Sequence, residues 1–452
     1  MSDEIDLFGD VLIAVRNALQ EDRIDDAVSI LEDLHYADQA EVFNELDDDE
    51  QSKLLTRLDI AKTADILEEL EDREVLEVVE EFSPEQLADV LDEMEPDEAA
   101  DLLGDLPQEQ AAEILAKMEA AEEVRPLLGY PDETAGGRMT TAFIALNRYM
   151  SANEGIEYLR QIHPDADVPY YLYVEDQFHH LIGVVGLREL VVTSPDIMID
   201  QIMSPEVIYV EAKTDQEEVA RIMTRYDLAL IPVVDEDQVL LGVITHDDIL
   251  DVVEEEATED IYRMANVTDI ELEPESPVHQ QLRGRLPWLF INTITAGFAA
   301  WVISNFESVI AAVAVLAVFQ SIVAGQGGNS ASQNVAMIVR TMALGKLDSR
   351  RMWQIVGRQM LVGLLQGLAV GFLVGVGAYL WKGNPYLGFV VAFALIGNMV
   401  LAGLAGTIVP IILKKLGQDP ALASSVLVTA VTDAGGFFIF FSLATMLLNQ
   451  LT

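Results

Sequence analysis

The chain has 452 residues, 77 of them acidic and 26 basic, with no cysteine, a formal net charge of −51 and a mean hydropathy of +0.25. Residues 1–279 hold 73 of the acids and residues 280–452 only 4, so an anionic, water-soluble half precedes an apolar half suited to a membrane. Such a surface repels phosphate backbones and disfavours nucleic-acid binding; the lack of Cys excludes disulfide scaffolds and thiolate metal sites, leaving hard, oxygen-ligated divalent cations as the natural partners.

The acidic start, Met1-Ser2-Asp3-Glu4, does not read as a secretory signal. A 12-residue repeat follows, clearest over Glu80–Leu91, Asp92–Leu103 and Gly104–Leu115. Its third position is apolar (Leu34, Leu46, Leu58, Leu70, Phe82, Met94, Leu106), as is its last (Leu31, Phe43, Leu55, Leu67, Val79, Leu91, Leu103, Leu115). Ser83-Pro84 and Glu95-Pro96-Asp97 mark helix starts. Short helices that cannot bury a face alone must stack, which predicts an α-helical solenoid over residues 1–125. The tenth position is acidic in six units (Glu41, Asp65, Glu77, Asp89, Asp101, Glu113), either a solvated face or a weak divalent-cation surface.

From Met139 the pattern alternates strand and helix. Pro169–Val174 and Leu181–Gly186 read as strands and Leu187–Val192 as a helix; Ala229–Val234 and Leu240–Thr245 repeat the order. The stretch Gly242-Val243-Ile244-Thr245 running into Asp248-Ile249-Leu250 resembles a CBS domain, and two copies resemble a tandem α/β CBS pair at residues 139–198 and 199–253. That resemblance implies that Thr245 and Asp248 hold a nucleotide ribose, with ATP as the candidate ligand. The first copy has Gly186 and Glu189 there instead.

Residues 254–280 read as an acidic connecting helix. Glu255 and Glu259 share a face, as do Glu256 and Asp260, an arrangement that costs stability unless a cation neutralises it. Five apolar spans follow in residues 281–452, at Trp288–Asn305, Ser308–Gly325, Ile355–Leu380, Leu387–Leu413 and Ala423–Leu448. With the amino terminus in the cytoplasm, Arg283, Arg285, Arg340, Lys346, Arg350, Arg351, Arg358, Lys414 and Lys415 lie inside and Lys382 alone outside. The acidic domains are therefore expected in the cytoplasm of a multi-pass cell (inner) membrane protein, with the carboxy terminus outside. Gly363, Gly367, Gly371 and Gly375 line one helix face and predict close packing. Gly325–Asn334, which includes Asn329, is too polar for a lipid-facing helix and reads either as irregular backbone lining a watery cavity or as a cytoplasmic loop. Asp433 is the one charge well inside a span, flanked by small residues, and reads as an ion-path carboxylate. Glu307 lies between the first two spans, as a pathway mouth or an exposed turn.

The whole order resembles the MgtE family of magnesium channels and transporters. It is carried by Glu255-Glu256-Ala257-Thr258-Glu259-Asp260, Phe306-Glu307-Ser308, Gly327-Gly328-Asn329, Asp419-Pro420-Ala421, and Asp433 with Gly436-Phe437. The resemblance implies a homodimer with its pore on the two-fold axis, Asp433 of each subunit holding a hydrated Mg2+ ion, and the connecting helix acting as a plug. Ser425 and Thr429 stand where family members commonly carry Asn and Ala. The expected ion path is Asp433, Gly436, Thr429, Ser425, Asn329 and Glu307. Regulatory Mg2+ is expected to bridge Asp89, Asp92, Asp247, Asp251, Glu255, Glu259 and Asp419, closing the pore when cytoplasmic Mg2+ is high. The alternatives are transport of another divalent cation (Co2+ or Ni2+) and a nucleotide-sensing CBS membrane protein. No nucleophile, P-loop or paired acid–base constellation supports an enzyme.

Overall fold

The computed structural model describes residues 2–70, 72–79, 82–162, 171–268, 272, 274, 276–343, 347 and 352–452, which form two compact units, Met1–Val252 and Val253–Thr452. Pro169, Tyr170, Glu80, Lys346, Arg350 and Arg351 lie outside the described residues, as does the side chain of Glu77.

In the first unit, α1 (Ser2–Gln20) precedes α2 (Ile24–Glu32), α3 (Tyr36–Asn44), α4 (Asp48–Leu55), α5 (Ile60–Glu68), α6 (Asp72–Val79), α7 (Pro84–Leu91), α8 (Pro96–Asp105), α9 (Gln108–Leu115) and the short α10 (Ala121–Val124). From α2 to α9 each helix begins twelve residues after the last, so one repeat is one helix and one turn. The starts are fixed locally. Asp47 with Glu50, and Ser83 with Gln86, form reciprocal capping boxes, Asp59 caps α5, and Pro84 and Pro96 open α7 and α8. The last-position residues Leu31, Phe43, Leu67, Leu91 and Leu103 are fully buried between alternate helices, such as α3 with α5 and α7 with α9. Of the tenth-position acids, Glu41, Asp89 and Glu113 are exposed and Asp65 and Asp101 half-buried.

The strand region is an internal duplication. β1 (Ala145–Asn147) pairs parallel with β2 (Tyr171–Glu175), which pairs antiparallel with β3 (Leu181–Gly186); α11 (Ala152–Ile162) lies between β1 and β2, and α12 (Leu187–Val192) follows β3. After α13 (Ile199–Ile202) the same order returns with β4 (Val210–Glu211), α14 (Gln216–Tyr226), β5 (Leu230–Val234) and β6 (Leu240–Thr245). The second and third strands of both sheets carry a register shift at the corresponding place, Val174/Glu175 and Val233/Val234. The hairpin tips exchange backbone bonds, Leu181 N to Gln238 O (3.0 Å) and Leu240 N to His179 O (3.1 Å), around a small core of Tyr173, Leu230, Leu240 and Val243.

The boundary between the units falls within α15 (His246–Met264). The second unit continues with α16 (Val278–Ser304), α17 (Glu307–Ala312), α18 (Leu316–Ala343), α19 (Met352–Lys382), α20 (Pro385–Lys415) and α21 (Pro420–Met446). Among the described residues four helices are long and apolar enough to cross a membrane: Val278–Ser304, Met352–Lys382, Pro385–Lys415 and Ser425–Met446. The expected second span, Ser308–Gly325, is not one segment: α17 ends at Ala312 and α18 starts at Leu316. Gly325–Asn334 is neither irregular nor a loop; it is helical throughout, inside α18. Two of its polar groups are packed against protein, Ser330, whose Oγ donates to Gln366 Oε1 of α19 at 2.9 Å, and the buried Asn334, whereas Asn329, Ser332 and Gln333 are exposed.

α20 is the central helix of this unit, packed on α18, α19 and α21. The glycine ladder of α19 lies directly on its backbone. A Cβ added at Gly367 would stand 2.6 Å from Ile396 Cα, at Gly371 2.8 Å from Ala392 O, and at Gly375 2.7 Å from Gly388 O, whereas one at Gly377 meets nothing within 4 Å. Gly367→Ala is accordingly expected to destabilise the detergent-solubilised protein by about 1–3 kcal/mol through backbone overpacking. Gly377→Ala should leave its thermal midpoint unchanged or raise it, because Ala favours helix; thermal unfolding of the two variants side by side checks this.

Candidate functional site

Within the first unit the start of α15 gathers buried charge. Thr245 Oγ1 donates to Asp248 Oδ2 at 2.5 Å and Thr245 N to the same oxygen at 3.2 Å, so the two candidate nucleotide residues close the helix start on one another. Asp248 is half-buried, and that burial, then Asp247, raises its carboxyl above the ordinary range. Asp97, in the first turn of α8, is only 7% exposed, and its Oδ1 is buried without a hydrogen-bond partner among the described residues. Burial, followed by the charges of Asp248 and Glu95, pushes Asp97 up to about 8. Glu68, which accepts Glu95 N at 2.7 Å, is raised to about 7, again mainly by burial.

The sequence-predicted acids of this unit do not converge. Asp89, Asp247 and Asp251 are exposed, and Asp92 accepts Glu119 N and Ala120 N at 2.9 Å each, fixing the turn before α10. Among the described residues no three His, Asp or Glu side chains come close enough together to hold a metal ion. An open groove of about 470 Å3 lies instead on the first strand-helix copy, lined by Tyr171, Leu187, Arg188, Val191 and Val192.

Within the second unit α15 is tied to the start of the last helix. Arg263 pairs with Glu259 one turn earlier and, at 2.5 Å, with Asp419 Oδ2. Asp419 Oδ1 accepts Ala421 N at 2.7 Å and caps α21. Asp260 is pushed up to about 6 by burial first, then by Asp419 and Glu256. Just beyond α15, Asn266 adopts a left-handed backbone (φ 61°) and its Oδ1 accepts from Ser425 Oγ at 3.0 Å. Ser425, Thr429 and Asp433 follow at four-residue spacing, with Gly436 three further on, so all four occupy one face of α21. Asp433 is half-buried and, among the described residues, has neither hydrogen bond nor ion pair. Glu307 and Asn329 are exposed, on α17 and α18.

Sequence reasoning missed Asp97, whose place after Pro96 looks like an ordinary first-turn acid, and Arg263 and Asn266, whose partners lie more than 150 residues away. It also passed over Arg188, although that residue stands beside the Gly186 and Glu189 that mark how the first copy departs from the second.

Residues 320–443 match the MgtE family, described as a divalent cation transporter, residues 34–133 match the MgtE intracellular N domain, and residues 199–255 match the CBS domain. The chain is 41% identical over 329 residues to the magnesium transporter MgtE of Thermus thermophilus, covering 72% of this chain and 73% of that protein. It is 37% identical to the magnesium transporter MgtE of Enterococcus faecalis, covering 73% of each. A crystal structure of the cytosolic domain of the Mg2+ channel MgtE in complex with ATP matches 53% of this chain and 99% of its own, at 36% identity and a TM-score of 0.50.

The buried acid of the first unit makes stability depend on pH. Asp97 ionises at about 8 when folded and near its ordinary value of 3.8 when unfolded. Its contribution is therefore complete below about pH 4 and lost as pH rises to about 8, at up to about 1.4 kcal/mol per pH unit for one proton. Without divalent cations, unfolding of the first unit followed by amide hydrogen exchange should become easier over that range, and Asp97→Asn should make the dependence shallower by about one proton, Glu68 (about 7) and Glu98 (about 9) supplying the rest.

Proposed function

The chain belongs to the MgtE family, and from that membership we propose that it is a magnesium channel or transporter, admitting Mg2+ across the cell membrane through its carboxy-terminal helices. The observation that carries the reading is Asp433: a carboxylate without a protein partner among the described residues, flanked by small residues, inside the segment that matches the divalent cation transporter family. A carboxylate in such a setting is costly unless a cation passes it. Magnesium gives up its waters reluctantly, so one or two carboxylates with polar neighbours suit it better than a closed cage. The face formed by Ser425, Thr429, Asp433 and Gly436, met by the same face of a second subunit, would supply two Asp433 side chains to a hydrated ion, with Asn329 and Glu307 towards the path's ends. In this reading α18 crosses the membrane as the fifth helix, the amino-terminal domains are cytoplasmic, the carboxy terminus is outside, and the protein is a homodimer in lipid.

Regulation follows from the acids. The carboxy-terminal part of α15 acts as a plug, held at α21 by the Arg263–Asp419 pair and the Asn266–Ser425 bond. Cytoplasmic Mg2+ bridging Glu255, Glu259 and Asp419, and Asp89, Asp92, Asp247 and Asp251 in the first unit, favours the closed state. Its loss restores like-charge repulsion and opens the path. Asp97, buried and within reach of the charge of Asp248, adds a pair of this kind. ATP at the CBS pair is supported by the relative's ATP complex and by the groove that presents Arg188.

Proteoliposomes carrying the intact chain test the path and the gate separately. Asp433→Ala is expected to lower Mg2+ influx roughly tenfold to a hundredfold, as for loss of a charged contact; undiminished influx would remove the proposed ion site. Arg263→Ala should leave maximal influx intact and raise the internal Mg2+ needed to close the path by on the order of tenfold. A closing curve that does not move would take the α15 contact out of the gate.

A further inference from the structure

Asn398 lies in the middle of α20, a helix otherwise almost wholly apolar, and is fully buried. Its Nδ2 donates to Val323 O of α18 at 2.8 Å, and its Oδ1 is buried without a hydrogen-bond partner among the described residues. Two glycines from two different helices make room for this one amide. At Gly436 of α21 an added Cβ would stand 2.5 Å from Nδ2 and 3.0 Å from Oδ1, and at Gly327 of α18 it would collide with the same group. Any side chain larger than hydrogen at either position would force the amide out.

An apolar residue would fill this space without leaving a carbonyl oxygen unsatisfied, which costs stability in a dry interior. A merely space-filling role therefore leaves the choice of Asn unexplained, and an unsatisfied buried acceptor requires a reason. What the amide does that Leu could not is bind α18 while standing against Gly436, one turn along α21 from Asp433 and on the same face. We propose that Asn398 is a positioning residue of the ion path: it locks α18 and α21 to α20 and so fixes where the Asp433 carboxylate stands. This rests on the reading of Asp433 as the ion-path carboxylate.

The test compares Asn398→Leu and Gly436→Ala with the unaltered chain in proteoliposomes, measuring the external Mg2+ concentration that half-saturates influx, the maximal influx, and the thermal midpoint of the solubilised protein. Asn398→Leu keeps the branched skeleton with two bulkier methyls and removes the donor, so the half-saturating concentration should rise roughly tenfold whatever the overpacking does to the thermal midpoint. Gly436→Ala, which displaces the same amide from the other side, should move it in the same direction. A lower thermal midpoint with an unmoved half-saturating concentration would overturn the proposal, as packing alone would then explain Asn398. If Asn398→Leu does not fold, an unmoved value in Gly436→Ala overturns it equally. Failure here is distinct from failure of the function itself, which would show as Mg2+ influx indifferent to Asp433→Ala.

Discussion

A chain with a net charge of −51 cannot fold without bringing carboxylates together, and its contacts are organised around how that repulsion is met. Two like charges 4 Å apart near a protein surface repel by about 4 kcal/mol, a sizeable share of a domain's stability. The first unit meets the problem by withdrawing Asp97 from water beside Asp248, where it holds a proton until about pH 8. The second supplies a cation of its own, Arg263 between Glu259 and Asp419, and leaves Asp260 raised to about 6 alongside. Both solutions are conditional: a change in proton or cation supply alters the balance at contacts that are otherwise well packed.

The apolar half answers a different constraint. In hydrocarbon no water is available to satisfy a stray polar group, and helices gain little from hydrophobic attraction to one another. Contact must come from close fit, which the α19 glycines provide by letting the α20 backbone approach. The same device admits polarity: glycine at positions 327 and 436 makes space for an amide that would otherwise find none. Small residues here are thus sites of both adhesion and access.

How far the fold could be read from sequence depended on whether the signal was periodic. The 12-residue repeat sets helix starts because capping residues and buried leucines recur in phase, and the strand duplication is visible for the same reason. Asp433 stands out in the sequence because a lone carboxylate in an apolar run has few explanations, and the structure leaves it half-buried with neither hydrogen bond nor ion pair among the described residues. Gly325–Asn334 was misread because its polarity suits water as well as protein, and only the partner helices, with Gln366 opposite Ser330, decide between them. The charge interaction of Asp97 with Asp248, and the pairing of Arg263 and Asn266 with the start of α21, join residues across long stretches of chain that composition and spacing do not encode.

Because alternate helices of the solenoid lie against one another, its helices form two interleaved stacks, odd and even. Inserting one 12-residue unit would transfer every later helix to the opposite stack and turn each of its acids to the other side, much as a one-residue slip inverts a strand. Inserting two would restore the original parity and add one full step. The step that keeps each later helix on its own side is therefore 24 residues, twice the period written in its sequence.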